Sequence, residues 1–396
     1  MTALYLCYQS VCEPLTETQV IAYLEGLARA GHKVLLLTFE PRSPTKSEEL
    51  RIRTRLNEFG IQWFWRRYHK GPSVPATALD VLIGVVFGMR LAIRYRVGLL
   101  HARAHVPAIM ALPIRWLTRC RFLFDLRGLM AEEYVDAGIW RANGILFRLT
   151  KWFERRLIRA ADAVVVLTDA GKEFLTASYP DALRGKPCQV IPCCVDLRRT
   201  PHANASRPSE GRFTLAYVGK LGGWYPTDEL MQFAAAAKRV IPELDLKIWT
   251  QSDPAQVRDA AKRNQTEQFV RVERATPREL PGKLAGAHAG VSFRTGNISR
   301  ITCSPTKVAE YLAAGIPVVT NSGIGDCDAL VDSNRIGVVI RQANVAGFEA
   351  AAFQIKNLAS DGETRDRCTR VARDNFDLIT VGWPRYCEIY DALSKA

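Results

Sequence analysis

Lys307 and Glu310 stand three residues apart in the segment Ser304-Pro305-Thr306-Lys307-Val308-Ala309-Glu310-Tyr311-Leu312-Ala313-Ala314-Gly315-Ile316-Pro317-Val318-Val319. On a helix, that spacing puts an ammonium and a carboxylate on one face. The start of a helix also offers backbone N–H groups that no earlier carbonyl satisfies, and its dipole favours an anion. Those N–H groups with a first-turn Lys suit a phosphate, and a carboxylate one turn further on suits the hydroxyls of a ribose. The chemistry implied is the grip of an activated nucleotide. The plainer reading is a capped helix with a surface Lys–Glu pair, and the surrounding elements must decide between them.

The local signals predict a helix of about three turns. Ser304 suits the N-cap, Pro305 the first helical position, and Gly315 the stop before a β-branched strand at Ile316 to Val319. Upstream, strand and helix patterns alternate. Leu4 to Cys7, Val34 to Phe39, Leu99 to Ala102 and Arg121 to Asp125 read as buried strands, and Thr18 to Ala30 and Val106 to Leu117 as helices. Helix Phe147 to Ala160 leads into strand Ala163 to Leu167, Thr168-Asp169 caps a helix through Leu175, and Val190-Ile191-Pro192 closes the series. Thr200 to Gly211 reads as a linker. A second series follows: strand Phe213 to Gly219, helix Thr227 to Ile241, strand Leu246 to Thr250, helix Pro254 to Asn264, strand Phe269 to Val272, helix Pro277 to Ala287 and strand Ala289 to Phe293. This alternation predicts an α/β chain with two parallel sheets covered by helices, and ligands beyond the carboxyl ends of the strands, in a cleft between domains.

Length agrees, because 396 residues with 48% apolar content exceed what one hydrophobic core fills. The boundaries expected are 1–205, 206–373 and a C-terminal helix at 374–396 that returns to the first domain. A net charge of +14 suits nucleic acid, an anionic membrane surface or a polyphosphate substrate. No nucleic-acid-binding module or basic low-complexity tail is recognisable, and no GxGxxG follows either first strand, which argues against nucleic acid as partner and against a dinucleotide oxidoreductase. The ten cysteines show no CxxC and no metal-type spacing with the six histidines, so reduced thiols and no metal site are expected. Met1 to Tyr8 lacks the basic start and apolar core of a signal peptide, and a cytoplasmic protein is expected. In Ala76 to Val97, Asp80, Arg90, Arg94 and Arg96 interrupt the apolar run, which predicts an amphipathic helix rather than a membrane span. With Arg51, Arg53, Arg55, Trp63, Trp65, Arg66, Arg67, His69 and Lys70 it forms a basic, aromatic region suited to a peripheral place on an anionic membrane, or else a solvated helix with a few core tryptophans.

Several motifs, in order, resemble glycosyltransferase family 4, retaining nucleotide-sugar enzymes of the GT-B fold, with two Rossmann-like domains facing an interdomain cleft. They are Gly26 to Thr38, Ala160-Ala161-Asp162-Ala163-Val164-Val165-Val166-Leu167-Thr168, Val190-Ile191-Pro192-Cys193-Cys194-Val195-Asp196, Val218-Gly219-Lys220-Leu221 and Lys307 to Val319. Glu13-Pro14-Leu15 before Gln19-Val20, Asp125-Leu126-Arg127-Gly128 and Gly323-Ile324-Gly325-Asp326 resemble a branch that assembles bacterial surface polysaccharides or glycolipids. The resemblance implies transfer of a sugar, with retention, from a nucleotide diphosphate donor to a glycan or polyprenyl-linked acceptor, with no cofactor and no metal. It assigns Glu310 to the donor ribose, and Ser304, Thr306 and Lys307 to the diphosphate side, with Gly219 and Lys220 opening the donor domain.

The sequence departs from the family pattern at three places. Tyr225 occupies the second position of a basic phosphate clamp whose first is Lys220; Arg294 or Arg300 could restore the charge, and Arg300 is the one favoured. Thr302 replaces the acid that lies eight residues before Glu310 in the family, so no catalytic carboxylate pair is expected. Glu13 to Thr18 replaces a Gly-rich first loop. In the first domain, Asp125 could orient a sugar hydroxyl and Arg127 bind a phosphate, or the two could form a buried pair that holds their loop. Gln19, His105 and Glu133 are candidates near the acceptor or its loops, with Glu132, His101 and Arg103 ranked below; a satisfied core or surface role is the alternative for the histidines. The other functions left open are a GT-B epimerase or hydrolase on nucleotide sugars, and an inactive GT-B binding scaffold.

Overall fold

A computed structural model describes residues 1–199 and 211–395. The linker read at Thr200 to Gly211 therefore lies outside the described residues except for Gly211. The chain divides into two units, residues 1–135, 140–192 and 378–396, and residues 136–139 with 193–377.

The first unit is built on seven strands: β1 Thr2–Cys7, β2 Lys33–Glu40, β3 Gln62–Arg67, β4 Leu99–Arg103, β5 Arg121–Asp125, β6 Ala163–Val166 and β7 Cys188–Val190. They lie in the order β3-β2-β1-β4-β5-β6-β7, every neighbouring pair parallel, with Leu4 registered to Leu35 on one side and Leu100 on the other. The near-continuous apolar runs of β1, β2 and β5 are what a sheet covered on both faces requires. The switch in strand order falls between β1 and β4, the place where such sheets bind ligands. The second unit has β8 Phe213–Val218, β9 Leu244–Trp249, β10 Val270–Glu273, β11 Ala289–Ser292, β12 Val318–Asn321 and β13 Gly337–Ile340, in the order β10-β9-β8-β11-β12-β13. Its switch point lies between β8 and β11. One core layer packs Leu230, Phe233, Val257 and Phe348 on one side of this sheet, and another packs Leu284, Val308, Leu312, Val331 and Val371 on the other.

Both α/β series follow the alternation in the sequence, with differences that have local causes. The first helix begins at Pro14 rather than Thr18, because Pro14 after extended Glu13 starts a turn that continues through a wide-pitched π segment, Glu17–Ile21, into Ala22–Arg29. Thr168 caps helix Asp169–Ser178 through the Gly171 N–H at 3.0 Å. The helix expected over Pro277 to Ala287 is only Leu280–Leu284, since Thr276 and Glu279 bond each other reciprocally in a preceding turn. The basic aromatic region at 51–70 is absorbed by packing only in part, with Arg51, Arg53, Arg67 and Lys70 exposed. Trp63 is buried and donates to Thr38 Oγ1 at 2.9 Å, Arg53 pairs with Glu49, and Arg55 with Glu17 and Glu25.

The C-terminal helix Trp383–Lys395 belongs to the first unit. Trp383 Nε1–H donates to Ala22 O at 2.8 Å, with its ring against Gly26, where a Cβ would collide. Tyr390 OH meets His101 Nδ1 at 2.8 Å, and Tyr386 OH donates to Asp125 Oδ2 at 3.0 Å.

Candidate functional site

The second unit collects its polar groups at the carboxyl ends of β8 and β11. Helix Thr306–Ala313, between β11 and β12, has eight residues, about two turns. Ser304 is not its N-cap. Extended Pro305 takes that place without a side-chain cap bond, and Ser304 Oγ accepts from Cys193 N–H at 3.1 Å, holding the junction after Pro192. The stop is where the sequence put it: Gly315, at φ +72°, donates to Leu312 O, and Ile316 N–H reaches back to Tyr311 O at 3.1 Å. This is the paired closure that a left-handed glycine permits.

Tyr311 ties this helix to the switch point. Its buried hydroxyl accepts from Val218 N–H at 2.9 Å and donates to Val291 O at 3.1 Å, so it bridges the ends of β8 and β11. Four residues earlier on the same face, Lys307 is thereby aimed at the turn after β8. Its ammonium is buried, has no hydrogen-bond partner among the described residues, and lies 4.1 Å from the centre of the Tyr217 ring and 4.5 Å from that of Tyr225. It also lies beside Gly219, at φ +115°, where an added Cβ would stand 3.6 Å from the ammonium. Two ring faces attract the cation but offer no acceptor. Burial lowers Lys307 to a pKa of about 7, against the pull of nearby Glu310. Burial raises the Glu310 carboxyl to about 7, with Lys307 and Arg199 pulling the other way.

The turn after β8 is shaped by glycines. Gly219, Gly222 and Gly223 all have positive φ, and Gly222 and Tyr225 exchange two backbone bonds at 3.0 and 3.1 Å. Tyr225 therefore faces Lys307 as a ring where the family pattern has a second cation. Lys220 is exposed, and its carbonyl accepts from Tyr217 OH at 2.7 Å. Of the two arginines weighed from sequence, it is Arg294 that joins this cluster. It is buried, with its guanidinium 5.8 Å from the Trp224 ring centre and 6.0 Å from that of Tyr225, and Asn321 bonds its backbone at both N–H and C=O. Arg300 lies in a neighbouring 3-10 turn, Ile298–Thr302, against Gly296 and Gly323, with its carbonyl accepting from Gly325 N–H at 2.9 Å. Thr302 is buried, and its hydroxyl donates within that turn to Ser299 O. Asp136, which clusters with this unit, accepts from Asn297 N–H, Ser299 N–H and Ser299 Oγ. Sequence reasoning missed Tyr217, Trp224 and Tyr311 altogether. The three glycines within five residues were the available sign of a backbone built for close approach.

In the first unit, Asp125 is fully buried at the end of β5. His101, Arg103 and Arg127 each stand 3.6 Å from its carboxylate, and Tyr386 hydrogen-bonds to it. Burial opposes its charge, but Arg127, His101 and Arg103 outweigh that and hold the carboxyl well below its usual range. Asp125 thus has no accessible surface with which to touch a sugar. It anchors the strand ends, and Arg127 shares in that network. Replacing Tyr386 with Phe removes a bond to a buried carboxylate and should cost about 2 kcal/mol of stability, read as a lower urea midpoint.

His105 is also taken up structurally. It opens helix His105–Thr118, its Nε2 lies 2.9 Å from buried Glu154, and Lys151 and Tyr179 complete that cluster. Gln19 is buried in the π segment. Glu133 is half-buried on helix Met130–Asp136, while Glu132 beside it pairs with Lys151 at 2.8 Å. The candidates are therefore split: of those expected to bind the donor, Gly219, Thr306, Lys307 and Glu310 lie around one helix start with Arg300 in a neighbouring turn, while Asp125 with Arg127 and His105 belong to two separate buried networks of the first unit.

Residues 16–199, from the first helix to the end of the first series, match the family model of Glycosyltransferase Family 4. The match covers just under half of the chain. The match ends before β8, so the donor-side cluster lies beyond it. No curated protein sequence matches the chain. Among solved structures, sucrose-phosphate synthase from Thermosynechococcus elongatus is similar over 100% of both chains at 15% identity and a TM-score of 0.76. A glycosyltransferase from Rickettsia africae covers 100% of this chain and 98% of its own at 14% identity and a TM-score of 0.71. HepE from Anabaena, solved in complex with UDP-glucose, is similar over 100% of both chains at 14% identity and a TM-score of 0.67. At such identities the likeness is one of fold, and it extends over the second unit, past the residues that the family model matches. The α/β, GT-B fold class expected from the sequence agrees with it.

Proposed function

We propose that this chain is a glycosyltransferase that moves a sugar from a nucleoside diphosphate donor to a glycan or lipid-linked acceptor, with retention at the anomeric carbon. The observation that carries this reading is Lys307, a buried ammonium without a hydrogen bond, set beside Gly219 and one helical turn before Glu310. A diphosphate would supply the acceptor oxygens the two tyrosine rings cannot, while the adjacent helix start offers backbone N–H groups. Glu310 would accept from the ribose hydroxyls. Arg294 and Arg300, on the loop after β11, would add charge on the phosphate side in place of the basic residue that Tyr225 replaces.

In the transfer step, the bond from the anomeric carbon to the β-phosphate oxygen breaks and the acceptor oxygen bonds on the same face. The acceptor proton passes to the departing phosphate oxygen. The protein then contributes positioning and fixed positive charge, so no acid is needed at Thr302 and no metal need carry the phosphate charge. Surface polysaccharide or glycolipid assembly, at the cytoplasmic side of a plasma membrane, is the setting in which we place the reaction.

UDP is the first nucleotide to try, since HepE was solved with it. UDP should raise the melting temperature and uridine should raise it much less, because ligands that bind the folded state stabilise it by mass action. UDP-sugar turnover, transferred to acceptor or slowly hydrolysed, should persist in excess chelator. A chain that binds nucleotide but never breaks the sugar–phosphate bond would be a binding scaffold, and release of an epimerised sugar would make it an epimerase-type enzyme.

A further inference from the structure

Helices Ser73–Arg94, His105–Thr118 and Ile145–Ala160 of the first unit pack side by side over its sheet. Ser73–Arg94 is long and apolar enough to cross a bilayer by length and composition, yet one stripe of it is fixed to the unit. Gly84 lies against Met110 and Gly88 against Ile114, with no room for a Cβ at either contact. The fully buried Asp80 accepts from Tyr8 OH at 2.6 Å and from His69 N–H at 3.0 Å.

The outward stripes are different in kind. Leu82 and Ile93 on the first helix, Trp116 on the second, and Ile145, Leu149 and Trp152 on the third are all exposed, Trp116 by 77% and Ile145 by 84%. The three helices contain only two acids, Asp80 and Glu154, and both carboxylates are fully buried. Arg94, Arg148, Arg155, Arg156 and Arg159 are exposed among the apolar side chains, and the Arg156 guanidinium lies 4.1 Å from the Trp152 ring centre. Every charge this face presents from its helices is positive.

We propose that this three-helix face docks in the interfacial plane of an anionic lipid bilayer. Exposed tryptophan and leucine suit the headgroup boundary, and arginines beside them suit acidic headgroups. A second copy of the chain would set arginines against arginines, which selects the lipid surface as occupant. The proposal centres the contact on the three helices rather than on residues 51–70, where Trp63 is buried and Arg55 is paired with Glu17 and Glu25. It does not depend on the transfer reading, because the test contains no donor.

The experiment is flotation of the full chain with vesicles of phosphatidylcholine alone or mixed with phosphatidylglycerol. Binding is expected only with phosphatidylglycerol and should fall as salt rises. A Leu149→Ser, Trp152→Ser double variant and, separately, an Arg155→Glu, Arg156→Glu variant should each weaken partitioning by at least about tenfold while melting as the wild type does. Arg67→Glu, on edge strand β3, should bind as the wild type does. Equal binding to neutral vesicles, no binding to anionic vesicles at low salt, or wild-type partitioning of both variants would overturn the proposal. So would a dimer in sedimentation that the same variants dissociate, which would give the face to a second copy.

Discussion

Replacing Lys307 with Met will raise the melting temperature of the unliganded protein and weaken UDP binding by about a hundredfold, the worth of charge-assisted bonds to phosphate. Both effects have one cause. The ammonium is buried between two rings with no hydrogen bond, and Met keeps the length of the side chain while removing the amine. The gain should be about 1 to 3 kcal/mol, as for other buried groups whose desolvation is not repaid. The pH dependence has a definite sign. The unfolded lysine holds its proton up to about 10.5 and the folded one loses it near 7, so between these values the unfolded state binds more protons. Stability should therefore rise with pH across that interval in the wild type, and the Met variant should lose this slope. Differential scanning calorimetry with and without UDP at several pH values measures both halves. A variant that melts lower and binds UDP normally would make Lys307 a structural residue.

Glu310→Gln should cost tenfold to a hundredfold in affinity for UDP and for uridine alike, since the carboxylate is assigned to the ribose rather than the diphosphate. Lys307→Met should spare uridine, so calorimetric titration of the two ligands separates the roles. Burial raises Glu310 to about 7, so uridine affinity should fall as pH drops through that value and the acceptor carboxylate is protonated. The part of the affinity owed to the diphosphate should change in the opposite sense, weakening as pH rises and Lys307 loses its proton. Glu310→Gln should abolish the uridine dependence. Unchanged nucleoside binding in that variant would remove the central assignment of the site.

Local chemistry carried much of this far. The left-handed Gly315, the Thr168 cap and the two runs of alternating strand and helix depend on φ preference, side-chain bonds to nearby backbone, and hydrophobic period, all written in neighbouring residues. The same holds for the shared face of Lys307 and Glu310, which follows from a spacing of three on a helix. Ser304 shows the limit of such reasoning. A serine before proline reads as a cap, but its hydroxyl is claimed by the Cys193 N–H, more than a hundred residues away in the chain.

Long-range packing decided what the polar groups do. Asp125, His105 and Glu133 look alike as candidates after strand ends or on helix starts. Only the fold encloses Asp125 among Arg103, Arg127, His101 and Tyr386, and closes His105 onto Glu154. The sequence favours Arg300 as the loop cation, yet it is Arg294 that Asn321 and the Trp224–Tyr225 turn bring into the cluster around Lys307. The sequence by itself determined the element order, the parallel α/β plan and the shared face of Lys307 and Glu310 on the helix at Thr306, because these arise from contacts within a few residues. Tertiary structure alone decided that Lys307 is buried and aimed past Gly219, since its position depends on Tyr311 bridging β8 and β11, strands that are adjacent only once the sheet has formed.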